Sequence, residues 1–164
     1  MNVFRLLFLC TGNSARSQMA EALLNWKGRG RFRAESAGSR LADRVNPHAI
    51  ETLRDYDVPW AGHAPRGIDG LEREPWDFVI TVCDRAKESC PIFPGQPILA
   101  HWGMPDPGDV AGDEAAQRQA FEAAFLLLSR RIDLLLALPI EKLERLALEA
   151  RVRTIGHATG GSTG

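Results

Sequence analysis

The chain has 164 residues, 45% of them hydrophobic, with 20 basic against 21 acidic side chains. That length supports one domain with a buried core, and a net charge of −1 gives no electrostatic reason for a nucleic-acid partner or an anionic membrane surface. No stretch approaches the ~20 apolar residues of a membrane span, and the apolar run ending at Leu9 is too short for a secretory signal, so a cytoplasmic protein is expected.

In chain order, Val3 to Leu9 is an apolar run that predicts a buried strand. Residues 16–27 follow as a helix, with Met19, Ala20, Leu23 and Leu24 on one face. Residues 32–37 predict a second strand, ended by Gly38. Asn46-Pro47 is a helix start, Asn as cap and Pro in the first turn, and that helix runs to about Tyr56. Residues 76–82 predict a third strand ending at Cys83, and residues 97–102 a fourth. A long helix is expected over 113–138, broken by Pro139, and an amphipathic one over 140–152, with Ile140, Leu143, Leu146 or Ala147, and Ala150 on one face. The organisation is therefore a single domain, residues 1–153, with a core of 3–138 plus the extra helix, and a flexible tail at 154–164 ending in Gly-Gly-Ser-Thr-Gly.

Strands alternating with helices mean an α/β fold, here a small four-stranded parallel sheet with helices on both faces. Ligands in such sheets sit at the carboxyl ends of the strands. Cys10, Cys83 and His101 all stand at predicted strand ends, which gathers the reactive residues on one edge.

The segment from Cys10 through Thr11, Gly12, Asn13, Ser14 and Ala15 to Arg16 and Ser17 joins the first strand to the first helix. Amide groups of a tight loop and of a helix start together favour an anion. Gly12 and Asn13 tolerate backbone angles that other residues resist. Arg16 adds a planar fork of donors matched to a tetrahedral oxyanion. The same field is expected to lower the Cys10 thiol pKa, with Ser17 hydrogen-bonding the thiolate. The site would then hold an anionic nucleophile and an anionic electrophile with one set of groups. Three cysteines in a cytoplasmic chain argue for transient or catalytic disulfides rather than structural ones.

From Cys10 to Ala22 the sequence resembles the phosphate loop of low-molecular-weight protein tyrosine phosphatases, and more closely that of the arsenate reductases built on the same fold. Further matching stretches are Glu35-Ser36-Ala37-Gly38, Val45 to Ile50, Val79 to Cys83, Cys90-Pro91 and His101 to Pro107, so the resemblance covers roughly residues 3–138. It implies that fold, Cys10 as nucleophile, Arg16 as oxyanion clamp and Asp106 as general acid. The phosphatases usually carry aromatic residues after Asp-Pro. Here Gly108-Asp109 follow, which suits a small inorganic oxyanion better than phosphotyrosine.

A hydrolase of this kind needs one cysteine, whereas a reductase needs thiols to carry away two electrons. The resemblance to arsenate reductases thus implies a relay in which Cys83 resolves the Cys10 adduct and Cys90 resolves Cys83. Seven residues of helix span ~10.5 Å, but a disulfide needs Cα atoms about 4.4–6.8 Å apart. Residues 84–90, if helical, would have to unwind for Cys83 and Cys90 to join. The implied partners are arsenate or a phosphate-like oxyanion and an external thiol reductant, thioredoxin or glutaredoxin with glutathione; no cofactor is implied. A phosphomonoester hydrolase and a non-catalytic redox or oxyanion sensor stay open as alternatives.

Some such reductases bind potassium near the loop. The corresponding positions are Asn13, Glu21, Ser36 and Arg66, the last an acid in ion-binding members. Arg66 is expected to bring its charge to Glu21 in place of the cation, leaving activity indifferent to potassium. His101 stands close to Asp106 in sequence and is a candidate to orient it; His48, His63 and His157 are too dispersed to suggest a metal site. A monomer is expected.

Overall fold

The computed structural model of the chain describes residues 3–83 and 90–159. The expectation about unwinding between Cys83 and Cys90 falls on residues 84–89, outside the described residues.

Four parallel strands, β1 (Phe4–Cys10), β2 (Phe32–Gly38), β3 (Phe78–Thr81) and β4 (Ile98–His101), form one sheet in the order β2-β1-β3-β4. The apolar run Leu6–Leu9 makes β1 a central strand: all four residues are buried, so both its faces are covered. Helix α1 (Arg16–Lys27) carries the chain from β1 to β2 on one side; β3 then pairs with β1 on the other. Strand order reverses at β1, and at that switch point the carboxyl ends of neighbouring strands part to form a crevice. Cys10 ends β1, and Cys83 follows β3 by two residues.

Helix α2 (Pro47–Asp55) begins as its sequence predicts, with Pro47 at the first turn and the Asn46 side chain accepting from His48 N–H at 2.9 Å. Helix α3 (Glu114–Leu136) is capped by Asp113, which accepts from Ala116 N–H at 2.9 Å. It buries Phe121, Ala124, Phe125, Leu128, Ile132 and Leu135, one apolar stripe at helical spacing, and with them the charged Arg131.

The C-terminal region differs from its sequence expectation. Ile140–Lys142 is a separate 3-10 turn, Glu144 is extended, and helix α4 runs Arg145–Ile155 rather than 140–152. Starting there, the helix buries Leu148, Val152 and Ile155. Leu146 and Ala147, the two alternatives for the buried face, are both exposed, Leu146 at 81%. The tail does not begin at Thr154 either: Thr154 and Ile155 are helical, Ile155 belongs to the core, and only residues 160–164 lie outside the described part of the tail.

Candidate active site

The loop after β1 is laced to the chain that follows β2. The carbonyls of Cys10, Thr11, Gly12 and Ser14 accept from the N–H groups of Ser39, Arg40, Ala42 and Asn46 at 3.2, 2.9, 3.1 and 2.8 Å. Engaged in that way, the carbonyls are held apart from the loop's amide edge. This close packing is why residue 38 is glycine: a Cβ there would run into the Thr11 carbonyl oxygen. Asn13 takes a left-handed conformation, φ 52°, and its N–H donates to Cys10 Sγ at 3.1 Å. Helix α1 starts at Arg16 with no side-chain cap on Ala15, so its first amides remain for an anion.

Cys10 is 2% exposed. Its sulfur lies 2.8 Å from Ser17 Oγ, and that hydroxyl in turn accepts from Asn13 Nδ2 at 2.8 Å, which leaves the Ser17 hydrogen for the sulfur. Burial pushes the Cys10 thiol up in pKa, while the bonds from Ser17 and Asn13 and the Arg16 charge pull it down. The balance is upward, contrary to the depression expected from the loop alone, because withdrawing a thiolate from water outweighs three hydrogen bonds and one partly buried cation.

Arg16 is the first residue of α1. Its Nη1 donates to the Met104 carbonyl at 3.0 Å and its Nη2 lies 3.5 Å from Asp106 Oδ2. Asp106 caps the Pro107–Asp109 turn, accepting from Gly108 N–H at 2.9 Å. Cys83 Sγ is 3.2 Å from Thr11 Oγ1, one residue along the loop from Cys10. All three cysteines are reduced, outside any disulfide. Cys90 is half-buried, with its thiol pushed up by burial, and faces a cavity of about 440 Å³ lined also by Thr81, His101, Arg153 and His157. His101 Nδ1 pairs with the Thr81 hydroxyl at 2.7 Å.

Beneath the loop lies a buried polar network. Asn13 Nδ2 also donates to Ser36 Oγ (2.9 Å), and Ser36 donates to Glu21 Oε1 (2.9 Å). Asn13 Oδ1 accepts from Arg66 N–H at 3.0 Å and from Gln18 Nε2 at 3.3 Å. The Arg66 side chain corrects the sequence expectation. Its guanidinium goes to Glu35 Oε1 (2.8 Å) and the Ser36 carbonyl (3.0 Å). His63 faces Glu21 instead, Nε2 to Oε1 at 2.9 Å, while its Nδ1 donates to the Ala64 carbonyl at 2.7 Å. His63 thus stands beside Glu21 in the position expected for Arg66. At the expected cation positions, Asn13 Oδ1, Ser36 Oγ and Glu21 Oε1 each accept from a protein donor. Sequence reasoning missed His63 and Gln18, since neither carries a spacing signal to the loop.

Among the described residues one other group, His48, Glu51 and Glu114, places potential metal-ligand atoms within 4.8 Å of one another. Its carboxylates are exposed and lie 3.6 Å from the two ring nitrogens, a loose ion-pair cluster.

Known proteins are similar to this chain in sequence and in fold. An arsenate reductase of Oceanobacillus iheyensis is 37% identical over 117 residues, covering 71% of this chain and 84% of that protein. The solved structure of an arsenate reductase in the phosphate-binding state is similar at a TM-score of 0.70 and 26% identity, covering 82% of this chain and 98% of that one. A thioredoxin-dependent arsenate reductase of Corynebacterium glutamicum is similar at a TM-score of 0.56 and 25% identity, over 80% of this chain and 63% of that one. The cysteine-and-arginine loop, the α/β sheet that presents it and a family model matched over residues 5–148 lead to one conclusion: the chain belongs to the low molecular weight phosphotyrosine protein phosphatase family.

Proposed function

We propose that this chain reduces arsenate to arsenite, a detoxifying activity that would serve arsenic resistance. The observation that carries the reading is the second thiol beside the nucleophile's loop, Cys83 Sγ at 3.2 Å from the Thr11 hydroxyl. Hydrolysis has no use for it. Arsenate binds on the amides of residues 11–17 and the Arg16 fork. Cys10 attacks arsenic, and one oxygen leaves as water with a proton from Asp106. Cys83 then attacks Cys10 Sγ. The sulfur–arsenic bond breaks, its electron pair stays on arsenic, arsenite leaves, and a Cys10–Cys83 disulfide remains. Cys90 attacks Cys83 Sγ, freeing the Cys10 thiolate and leaving Cys83–Cys90 oxidised. An external dithiol closes the cycle by taking the disulfide's oxidising equivalents. The relatives are arsenate reductases, one of them thioredoxin-dependent. They support thioredoxin as donor ahead of glutaredoxin with glutathione.

The enzyme needs no organic cofactor or metal in this scheme and acts as a cytoplasmic monomer, residues 1–153 with the following segment as one unit. Among the described residues no helix is long and apolar enough to cross a membrane.

The test is arsenite release by the wild type and by Cys83→Ser and Cys90→Ser, with thioredoxin and its reductase or with glutathione and glutaredoxin. Cys90→Ser is expected to release about one arsenite per chain and stop with a Cys10–Cys83 disulfide; Cys83→Ser is expected to release none. Sustained aryl-phosphate hydrolysis indifferent to both substitutions, without arsenite, would replace the reading with a phosphatase.

A further inference from the structure

Arg131 stands on α3 at 4% exposure, and among the described residues no carboxylate pairs with it. Its partners are backbone carbonyls from two separate segments. Nη1 donates to Trp102 O at 2.9 Å and Gly103 O at 3.2 Å. Nη2 donates to Gly156 O at 3.1 Å and Ala158 O at 3.2 Å, and Nε to Ala158 O at 3.3 Å. A buried cation is unfavourable unless its donors are used, and here one rigid fork engages four carbonyls.

The first of these segments runs directly into the acid loop. One residue beyond Gly103, the Met104 carbonyl accepts from Arg16, and two beyond that stands Asp106, 3.5 Å from the same guanidinium. Residues 102–106 are therefore gripped from both sides, by Arg131 at their start and Arg16 at their end. The second segment lies past residue 148, where the family match ends. It packs backbone to backbone: a Cβ on Gly156 would collide with the His101 carbonyl oxygen, and Trp102 Nε1 donates to Val152 O at 2.9 Å.

We propose that Arg131 and the C-terminal segment 156–158 act together as a positioning device for the acid loop, fixing residues 102–106 against Arg16 so that Asp106 meets the bound oxyanion. The inference rests on Asp106 as the acid. It makes the C-terminal extension part of the catalytic apparatus although no atom of it touches substrate.

Two perturbations test it independently: Arg131→Met, and a chain ended after Ile155, which keeps Arg131 but removes two of its acceptors. Arg131→Lys and Asp106→Asn complete the panel, each assayed for steady-state arsenite release with saturating external dithiol across arsenate concentration. A misplaced acid loop lowers kcat, so both perturbations are expected to reduce it at least about tenfold with the arsenate KM changed no more than about twofold. Arg131→Lys is expected to recover part of the loss by donating to the Trp102 and Gly103 carbonyls. Should Arg131→Met fail to fold, the shortened chain alone decides. A lower melting temperature with kcat within about twofold of wild type, while Asp106→Asn remains impaired, would overturn the positioning role and leave Arg131 a stabilising tie. Undiminished kcat in Asp106→Asn would remove the acid assignment, and the inference with it.

Discussion

The Cys10 sulfur carries two opposing demands. Burial at a strand end shields it and raises its pKa, whereas attack needs the thiolate. Ser17 and Asn13 resolve part of the conflict, because Asn13 both donates its N–H to the sulfur and orients the Ser17 hydroxyl toward it. Ser17→Ala removes one bond to the thiolate without opening the site to water. The thiol should then rise further, and the midpoint of the pH profile for Cys10 alkylation should move up by about one unit, the equivalent of one charge-assisted hydrogen bond. Slower alkylation at pH 7 with an unchanged limiting rate at high pH is the expected pattern; an unmoved midpoint would deny Ser17 that role. Most of this was legible in the sequence, since the nucleophile, Gly12, Asn13, Arg16 and Ser17 all lie within eight residues. The direction of the Cys10 shift was not, because desolvation depends on what packs over the loop.

Elements meet through charge as well as through the core. Arg5 on β1 bonds Glu35 on β2 (2.8 Å) and Glu74 (2.6 Å), and Arg66 bonds Glu35 from the other side (2.8 Å). Burial raises the Glu35 carboxyl, but the two guanidiniums outweigh it and hold the group below the ordinary carboxylate range. A carboxylate with a depressed folded-state pKa contributes stability that is present above its unfolded value, about 4.3, and is lost as pH falls through the folded value. Glu35→Gln should therefore lower the melting temperature at pH 7 and make its decline below about pH 4 shallower than in the wild type. Parallel acid limbs in the two proteins would show that Glu35 is not linked to folding. The same region shows where sequence reading stops. Asn13, Glu21 and Ser36 were legible as a set, and the structure joins them by hydrogen bonds. That His63 and not Arg66 faces Glu21 was decided by the path of the loop after α2, which no periodicity describes.

Across the molecule, protein donors reach the oxygens of Asn13, Ser36 and Glu21 at the expected cation positions. Turnover and melting temperature should be the same in potassium as in a bulky cation at equal ionic strength; a rise specific to potassium would show that the His63–Glu21 pair yields to the ion. The order β2-β1-β3-β4 is what makes the chemistry possible, since it sets the chain after β3, and with it Cys83, beside the loop after β1. The chain's local pattern alone set the alternation of strands and helices, the Gly- and Asn-containing turn from Cys10 to Arg16 and the three-thiol inventory. Each of these is written in local spacing: apolar runs, a Gly and an Asn where the backbone turns, a Pro-marked helix start. Packing in three dimensions set the upward balance at Cys10, the His63 partner of Glu21, the phase of α4 and the Arg131 bridge between residues 102–103 and 156–158. Those four depend on burial and on contacts between residues far apart in sequence, and such contacts come from packing, which leaves no periodic trace in the chain.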